Sequence, residues 1–318
     1  MQEVPNKDAL AENDAVVEKD GQEATDTQYT KSGQLFVVAT PIGNLDDSTI
    51  RAIEVLKQVD LVAAEDTRHS QYLLSHFGIR KPMLSLHDHN EEARIVVVCA
   101  ALAEGRSIAL ISDAGTPLIS DPGFRVVRAV RAAGFRVVPI PGACAAIVAL
   151  SSSGLPSDRF LFVGFAPARS QARKTLFEEY VRRPETLIFY ESPRRVADFF
   201  EDAEAVFGGQ RRACIAKELT KLHERIVDGT LSEIKRLLME PAMQRGEFVI
   251  VMGGYEKPAR DGVDEALGAA AGLVDLDQAL RTVNRYLPPK QACALVADLY
   301  AVDKKALYQR WVDRNSGA

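Results

Sequence analysis

The sequence predicts an α/β protein of two sheet-and-helix domains followed by a small helical region. Three observations carry that expectation. From Leu35 onward, short apolar runs are each followed by a turn and a longer amphipathic stretch, the pattern of strands buried on both faces beneath covering helices. Beyond residue 160 the apolar runs come closer together, as in a mixed sheet. The last stretch, about fifty residues, carries helical periodicity without a strand-like run. With 318 residues, 47 % of them hydrophobic, the chain is long enough for two ordinary cores, and disordered or low-complexity classes are excluded.

Residues 1–32 are polar, acidic and aperiodic, and are expected to be a disordered tail dispensable for ligand binding. The first α/β domain is assigned to 33–150. Its strands are LFVVAT (35–40), LVAAE (61–65), SIALIS (107–112) and RVVPI (136–140), with a weaker run at PMLSL (82–86). STIRAIEVLKQV, SQYLLSHFG and PGFRVVRAVRAAG alternate with them, each with apolar residues on one helical face and with start and stop residues suited to helix ends. SSSGLPSDRF (151–160) reads as a linker.

A second domain, 151–256, follows with FLFVGF, a polar helix from about Ser170 to Arg183, TLIFYE, a helix through VADFFEDAEAVFG, then RACIAKE, ERIVDG and EFVIVMGG. The ERIVDGT segment suggests an antiparallel pairing. Residues 257–318 are a linker and short helices at DQALRTVNRYL, PKQACALVADLY and DKKALYQRWVD. These fit a helix-turn-helix unit or a plain helical cap. The cap is preferred, because few Lys and Arg residues are available for nucleic acid.

The net charge of −5 lies in the tail, since residues from Gly33 onward hold 36 acids and 36 bases. A uniformly basic nucleic-acid coat is therefore absent, although a local basic patch is compatible with neutrality. The four cysteines are far apart and lack metal-ligand spacing, so reduced thiols are expected rather than a disulfide or zinc site. No apolar run is long enough for a membrane span, and no signal-peptide pattern opens the chain, so a cytoplasmic location is expected.

In open α/β sheets ligands lie beyond the carboxyl ends of the strands. Three loops there are rich in Gly, Pro and small residues: Thr40–Asp47, Asp113–Gly123 and Pro141–Ala146. Neither GxGxxG after the first strand nor GxxxxGK[ST] occurs, which argues against a nicotinamide dehydrogenase or a P-loop enzyme. Such loops suit a small cofactor held by backbone groups and apolar contact. Polar motifs close other strands. Glu65-Asp66-Thr67-Arg68-His69 and His87-Asp88-His89-Asn90-Glu91 suit acid/base work or substrate holding, although Asp66 is equally suited to capping a helix. His87 and His89 lack a third ligand at metal spacing. In the second domain Tyr190-Glu191-Ser192-Pro193-Arg194-Arg195 closes one strand and Lys217-Glu218-Leu219-Thr220-Lys221-Leu222-His223-Glu224 another. Lys217 and Glu218 can share one pocket only if the strand has already turned. Arg194, beside a turn, is a candidate phosphate contact.

VATPIGNLDD, AAEDTRHS, LHDHNE, ISDAGTPLISDPG, PIPGACAAIVALSSSGLPSDRFLFVGF, FYESPRR and AKELTKLHE together resemble the ribosomal RNA small subunit methyltransferase I family of the tetrapyrrole methylase superfamily. The resemblance runs from about Gln34 to Gly254. It implies two α/β domains of tetrapyrrole methylase type with S-adenosyl-L-methionine in the interdomain cleft, and a homodimer. It further implies 2′-O-methylation of a cytidine in the decoding region of 16S rRNA, within the 30S subunit, with no DNA and no membrane partner. Cofactor contacts carried over are Pro41, Ile42 and Gly43, then Asp113, Ala114, Gly115, Thr116 and Pro117, then Pro141, Gly142 and Ala143, with Phe165 and Ala216 from the second domain. A general base must remove the ribose proton, and Asp66, His87, Glu191, Glu218 and Lys217 are the candidates, with Glu65 and Asp113 behind them. Arg68, His89, Asn90 and Arg194 are assigned to RNA. A tetrapyrrole or other small-molecule methyltransferase is the alternative on the same fold. A non-catalytic ribosome-assembly factor is a further one.

Overall fold

A computed structural model describes residues 33–240, 243, 245–256, 276–300 and 302–315. The acidic tail and the connector at 257–275 lie outside the described residues. The chain divides into two compact units, parting between Gly254 and Tyr255.

The first unit contains both sheets. Strands β1 (Gln34–Val38), β2 (Leu61–Ala64), β3 (Met83–Ser85), β4 (Ile108–Ile111) and β5 (Arg136–Ile140) form a parallel sheet in the order β3-β2-β4-β1-β5. Alternation along the strands feeds a core on each face. Leu61, Ala63 and Leu110 pack with Val98, Leu102, Val126 and Val130, which belong to helices α3 (Glu91–Ala103) and α4 (Phe124–Ala132). Val62, Ala64, Ala109 and Ile111 pack on the other side with Ala52, Leu56 and Leu74 of α1 (Ile50–Gln58) and α2 (Thr67–His76). The Thr49 and Asp66 side chains cap α1 and α2 by accepting from Ala52 N and Arg68 N.

The second sheet, mixed as the sequence suggests, holds β6 (Phe160–Phe165), β7 (Thr186–Glu191), β8 (Arg212–Lys217), β9 (Arg225–Thr230) and β10 (Phe248–Met252) in the order β6-β7-β10-β8-β9. Only β6 and β7 run parallel, and β8–β9 is the antiparallel pair anticipated at ERIVDGT. One face is buried under α6 (Ser170–Tyr180), α7 (Val196–Phe207) and α8 (Leu231–Leu237), around edge-to-face contacts of Phe177, Phe189 and Phe199. The other face is covered by α5 (Ala145–Ser152), which follows β5 in the chain yet packs on β7 and β10. Ala146, Ala149 and Leu150 join Ile188, Ala216 and Val249 of the second sheet, and Ile42 of the loop after β1, in one apolar cluster. The boundary drawn from the sequence at 150/151 passes through this helix.

The second unit consists of α9 (Leu276–Val283), α10 (Pro289–Tyr300) and α11 (Lys304–Asn315), packed around Leu280, Cys293, Val296 and Leu307. No helix among the described residues is long and apolar enough to cross a membrane.

Candidate active site

The strand order sets the carboxyl ends of β4, β1 and β5 side by side, so the Gly/Pro loops singled out in the sequence meet. Thr40 and Gly115 exchange backbone hydrogen bonds of 2.9 and 3.1 Å across the first two loops. The Thr116 hydroxyl ties in the third by donating to Ala143 O at 2.9 Å. Small residues are needed at these seams. A Cβ on Gly142 would stand 2.7 Å from that of Ala39, and Gly115 has φ +84°, in the left-handed region that glycine enters freely.

Against these loops the strand ends of the second sheet close a cavity of about 350 Å³, within the range of small-molecule sites. Ile42, Ala114, Gly115 and Thr116 wall one side, and Phe165, Tyr190, Ala216 and Val249 the other. The Tyr190 hydroxyl accepts a hydrogen bond of 3.1 Å from Ala146 N at the start of α5. Burial raises its pKa well above the usual phenol value. Glu191, also in the wall, is fully buried. It accepts from Ser192 N at 2.7 Å and from Arg195 Nη2 at 2.8 Å. Asp121 supplies another carboxyl, whose pKa burial pushes up to about 6, with Asp113 adding to the rise and a Ser112 hydrogen bond opposing it. Glu65 is raised in turn by burial and then by Asp113, Asp121, Asp88 and Asp66.

Of the residues singled out in the sequence, Ile42, Ala114, Gly115, Thr116, Phe165, Glu191 and Ala216 line the cavity. Pro41, Gly43, Asp113, Pro117, Pro141, Gly142 and Ala143 build the loops behind that wall rather than lining it. A Cβ on Gly43 would come within 2.5 Å of Lys221 Cγ, so glycine there lets the first loop touch the turn after β8. Asp113 Oδ1 accepts from Asp66 N at 3.1 Å, joining the β4 and β2 loops.

The proposed bases fall mostly outside the cavity. Asp66 caps α2, and hydrogen bonds from the Arg68 backbone and side chain hold its carboxyl below the usual range. His87 Nε2 lies 3.0 Å from Asn90 Nδ2, and Asn90 also accepts from His87 N, so these residues brace the β3–α3 turn. Lys217 is buried at the end of β8. The strand has indeed turned after it, since Glu218 has φ +52°, but the turn sends Glu218 to Lys221 Nζ (3.0 Å) and Glu247 N (2.9 Å). Burial works against ionisation of Glu218, and those bonds override it, leaving the pKa lowered. Arg68, His89 and Arg194 are exposed. Tyr190, Asp121, Ile119, Ser120 and Ser192 were not singled out as individual residues, although their positions at strand ends and inside the quoted motifs are a usable signal.

A family model described as Tetrapyrrole (Corrin/Porphyrin) Methylases matches residues 34–235. Proteins named ribosomal RNA small subunit methyltransferase I are 52 % identical in Haemophilus influenzae (87 % of this chain, 96 % of that protein) and 49 % identical in Pseudomonas aeruginosa (89 % and 98 %). The chain belongs to the tetrapyrrole methylases, in the ribosomal RNA small subunit methyltransferase I family. The fold of this methylase is shared with the structure titled methyltransferase CobJ (TM-score 0.54, 17 % identity, 72 % of this chain and 98 % of that one) and with a uroporphyrin-III-C-methyltransferase from Thermus thermophilus (0.52, 21 %, 70 % and 94 %).

A second model, described as RsmI C-terminal HTH domain, matches residues 270–314 of the methylase and corrects the preference for a plain helical cap. Charge was the wrong criterion. A helix-turn-helix is defined by the packing of short helices, here α9 to α11 about Leu280 and Val296.

Proposed function

We propose that this methylase transfers a methyl group to the 2′-oxygen of a cytidine ribose in the decoding region of 16S rRNA. It acts as a homodimer on the 30S subunit in the cytoplasm. The observation that carries the proposal is the cavity itself, at the stitched carboxyl ends of β4, β1 and β5. Its walls fit S-adenosylmethionine. The backbone is bare at Gly115, where a Cβ would press within 3.2 Å of Ile42, the sides are apolar or aromatic, and carboxyl groups suit a cationic sulfonium. The bound cofactor supplies an electrophilic methyl group.

The chain's own residues bind, orient and exclude water. Ile42, Ala114, Gly115, Phe165 and Ala216 shape the cofactor site, and Tyr190 fixes the start of α5 beneath it. The Glu191–Arg195 pair holds the end of β7, with Arg195 also donating to Ala166 O. Displacement at a methyl carbon depends chiefly on in-line positioning, which this wall pre-organises. Exposed Arg68 and Arg194 are the phosphate contacts, and the target nucleotide is splayed into the cleft. The names of the relatives support ribosomal RNA as substrate.

The test is calorimetric titration with S-adenosylmethionine, followed by mass-spectrometric nucleoside analysis of 16S rRNA from 30S particles incubated with the enzyme. Binding with new 2′-O-methylcytidine is expected. Product on uroporphyrinogen and none on RNA would overturn the proposal in favour of small-molecule methylation.

A further inference from the structure

We infer that Asp121 is the group that takes the proton from the substrate hydroxyl, a role that rests on the methyl transfer proposed above. The loop carrying it is bent with effort. Leu118 (φ +74°) and Ser120 (φ +69°) both sit in the left-handed region that side-chain-bearing residues avoid. Such outliers persist where the surroundings over-determine them, commonly at functional sites. The bend brings Ile119, Ser120 and Asp121 into the cavity wall. Ser120 packs beside β6 where that strand's register shifts between Phe162 and Gly164, its Oγ 3.4 Å from where a Cβ on Gly164 would stand.

The groups facing Asp121 are Asp113 and Ser112 at the end of β4 and Glu65 at the end of β2. Tyr190 and Glu191 face it from β7, Cys144 before α5, and Glu247 before β10. Glu191 is committed to Arg195 and Ser192 N, and Glu247 to Lys221. Asp66 and Glu218 have lowered pKa values, which makes them weaker bases, and neither lines the cavity. Asp121 combines a place in the wall with a proton affinity raised to about 6 by burial. In the step assigned to it, the ribose O–H bond breaks and the proton passes to the Asp121 carboxylate. The oxygen forms the new bond to the methyl carbon as the carbon–sulfur bond breaks, and that electron pair stays on sulfur. The half-buried carboxyl then returns its proton to water.

The experiment compares full-length wild type with Asp121→Asn and Asp121→Glu. Its readouts are methyl transfer to 30S particles between pH 5 and 8, calorimetric binding of S-adenosylmethionine, and 13C NMR titration of labelled aspartate carboxyls in the free protein. Asp121→Asn is expected to lower kcat at saturating S-adenosylmethionine by about 100-fold or more, a loss larger than the fall in cofactor affinity that comes from neutralising one carboxylate of the cavity wall. Wild type should show an acid limb near pH 6 and a carboxyl titrating there, both missing in Asp121→Asn, with partial activity restored in Asp121→Glu. Active wild type alongside an equally active Asp121→Asn, or an unchanged acid limb, would overturn the inference alone. So would loss of cofactor binding in step with activity, which marks a structural role. Wild type that leaves 30S unmethylated would overturn the proposed function and the inference with it.

Discussion

Replacing Arg195 with Met should destabilise the enzyme far more than a surface arginine would. The Arg195–Glu191 bond is 2.8 Å long, and the Glu191 side chain is wholly buried while that of Arg195 is 30 % exposed. Removing one partner of a buried pair strands the other charge, at a cost of about 3–5 kcal/mol. The partial exposure of Arg195 points to the lower end, about 3 kcal/mol. At about 2–4 °C per kcal/mol for a domain of this size, Tm should fall by about 6–12 °C. Glu191→Gln in the same background removes the stranded charge and should recover much of the loss, since a neutral amide is cheaper to bury. Denaturant and thermal unfolding of wild type, both single variants and the double variant close the cycle. A coupling energy below about 0.5 kcal/mol would refute the account, because contacting residues in one network couple by more than that. Glu191 lines the cavity, so cofactor affinity should drop in Arg195→Met and partly return in the double variant.

Gly115→Ala forces a side chain into φ +84° and against Ile42. It should cost about 1–2 kcal/mol and weaken S-adenosylmethionine binding by calorimetry. Gly134→Ala, strained alike at φ +79° but with open space around it, should lose stability without losing affinity. Lys221→Met removes the bridge between Glu218 and Glu247 and should cost about 1 kcal/mol at pH 7 in urea unfolding. Because the folded pKa of Glu218 is lowered, that contribution is complete above the unfolded carboxylate value, about 4, and is lost as pH falls through the folded one. The variant and wild type should therefore converge in acid. Affinity for 30S particles should fall steeply with added salt if exposed Arg68 and Arg194 contact phosphates as proposed, and a flat titration would count against RNA contact by these residues.

Strands were the most legible part of the fold. Val- and Ile-rich runs such as IALI and FVIVM are buried on both sides, and burial of that kind writes itself directly into composition. Helix α3 is not marked in the sequence because EEARIVVVCAALA is apolar on nearly every side, leaving no polar face to mark its period. Helix α5 was hidden for a related reason: AAIVALSS is short, apolar and continuous with a Ser-rich turn. At the site, Ile42, Gly115 and Thr116 were readable because their loops follow adjacent parallel strands. The role of Asp121 was not, since the left-handed turns at Leu118 and Ser120 that aim its loop use residue types carrying no signal for that conformation. Nor could sequence show that Glu218 and Lys221 would satisfy each other.

The crossing of α5 onto the second sheet makes the second lobe depend on a helix delivered straight from the first lobe's last strand. The helix leaves β5 of the first sheet and supplies Ala146, Ala149 and Leu150 to cover Ile188 and Val249 of the second, so the second sheet's cover arrives directly from the first lobe's last strand. A cut in the 151–159 segment would hand the cover to one fragment and the uncovered sheet to the other, and each would expose apolar surface that invites aggregation. Because α5 packs on β7 and β10 it travels with the second lobe, which meets the first through the Pro141–Cys144 loop leading into that helix and through the Ile42–Gly43 loop set against Leu219 and Lys221.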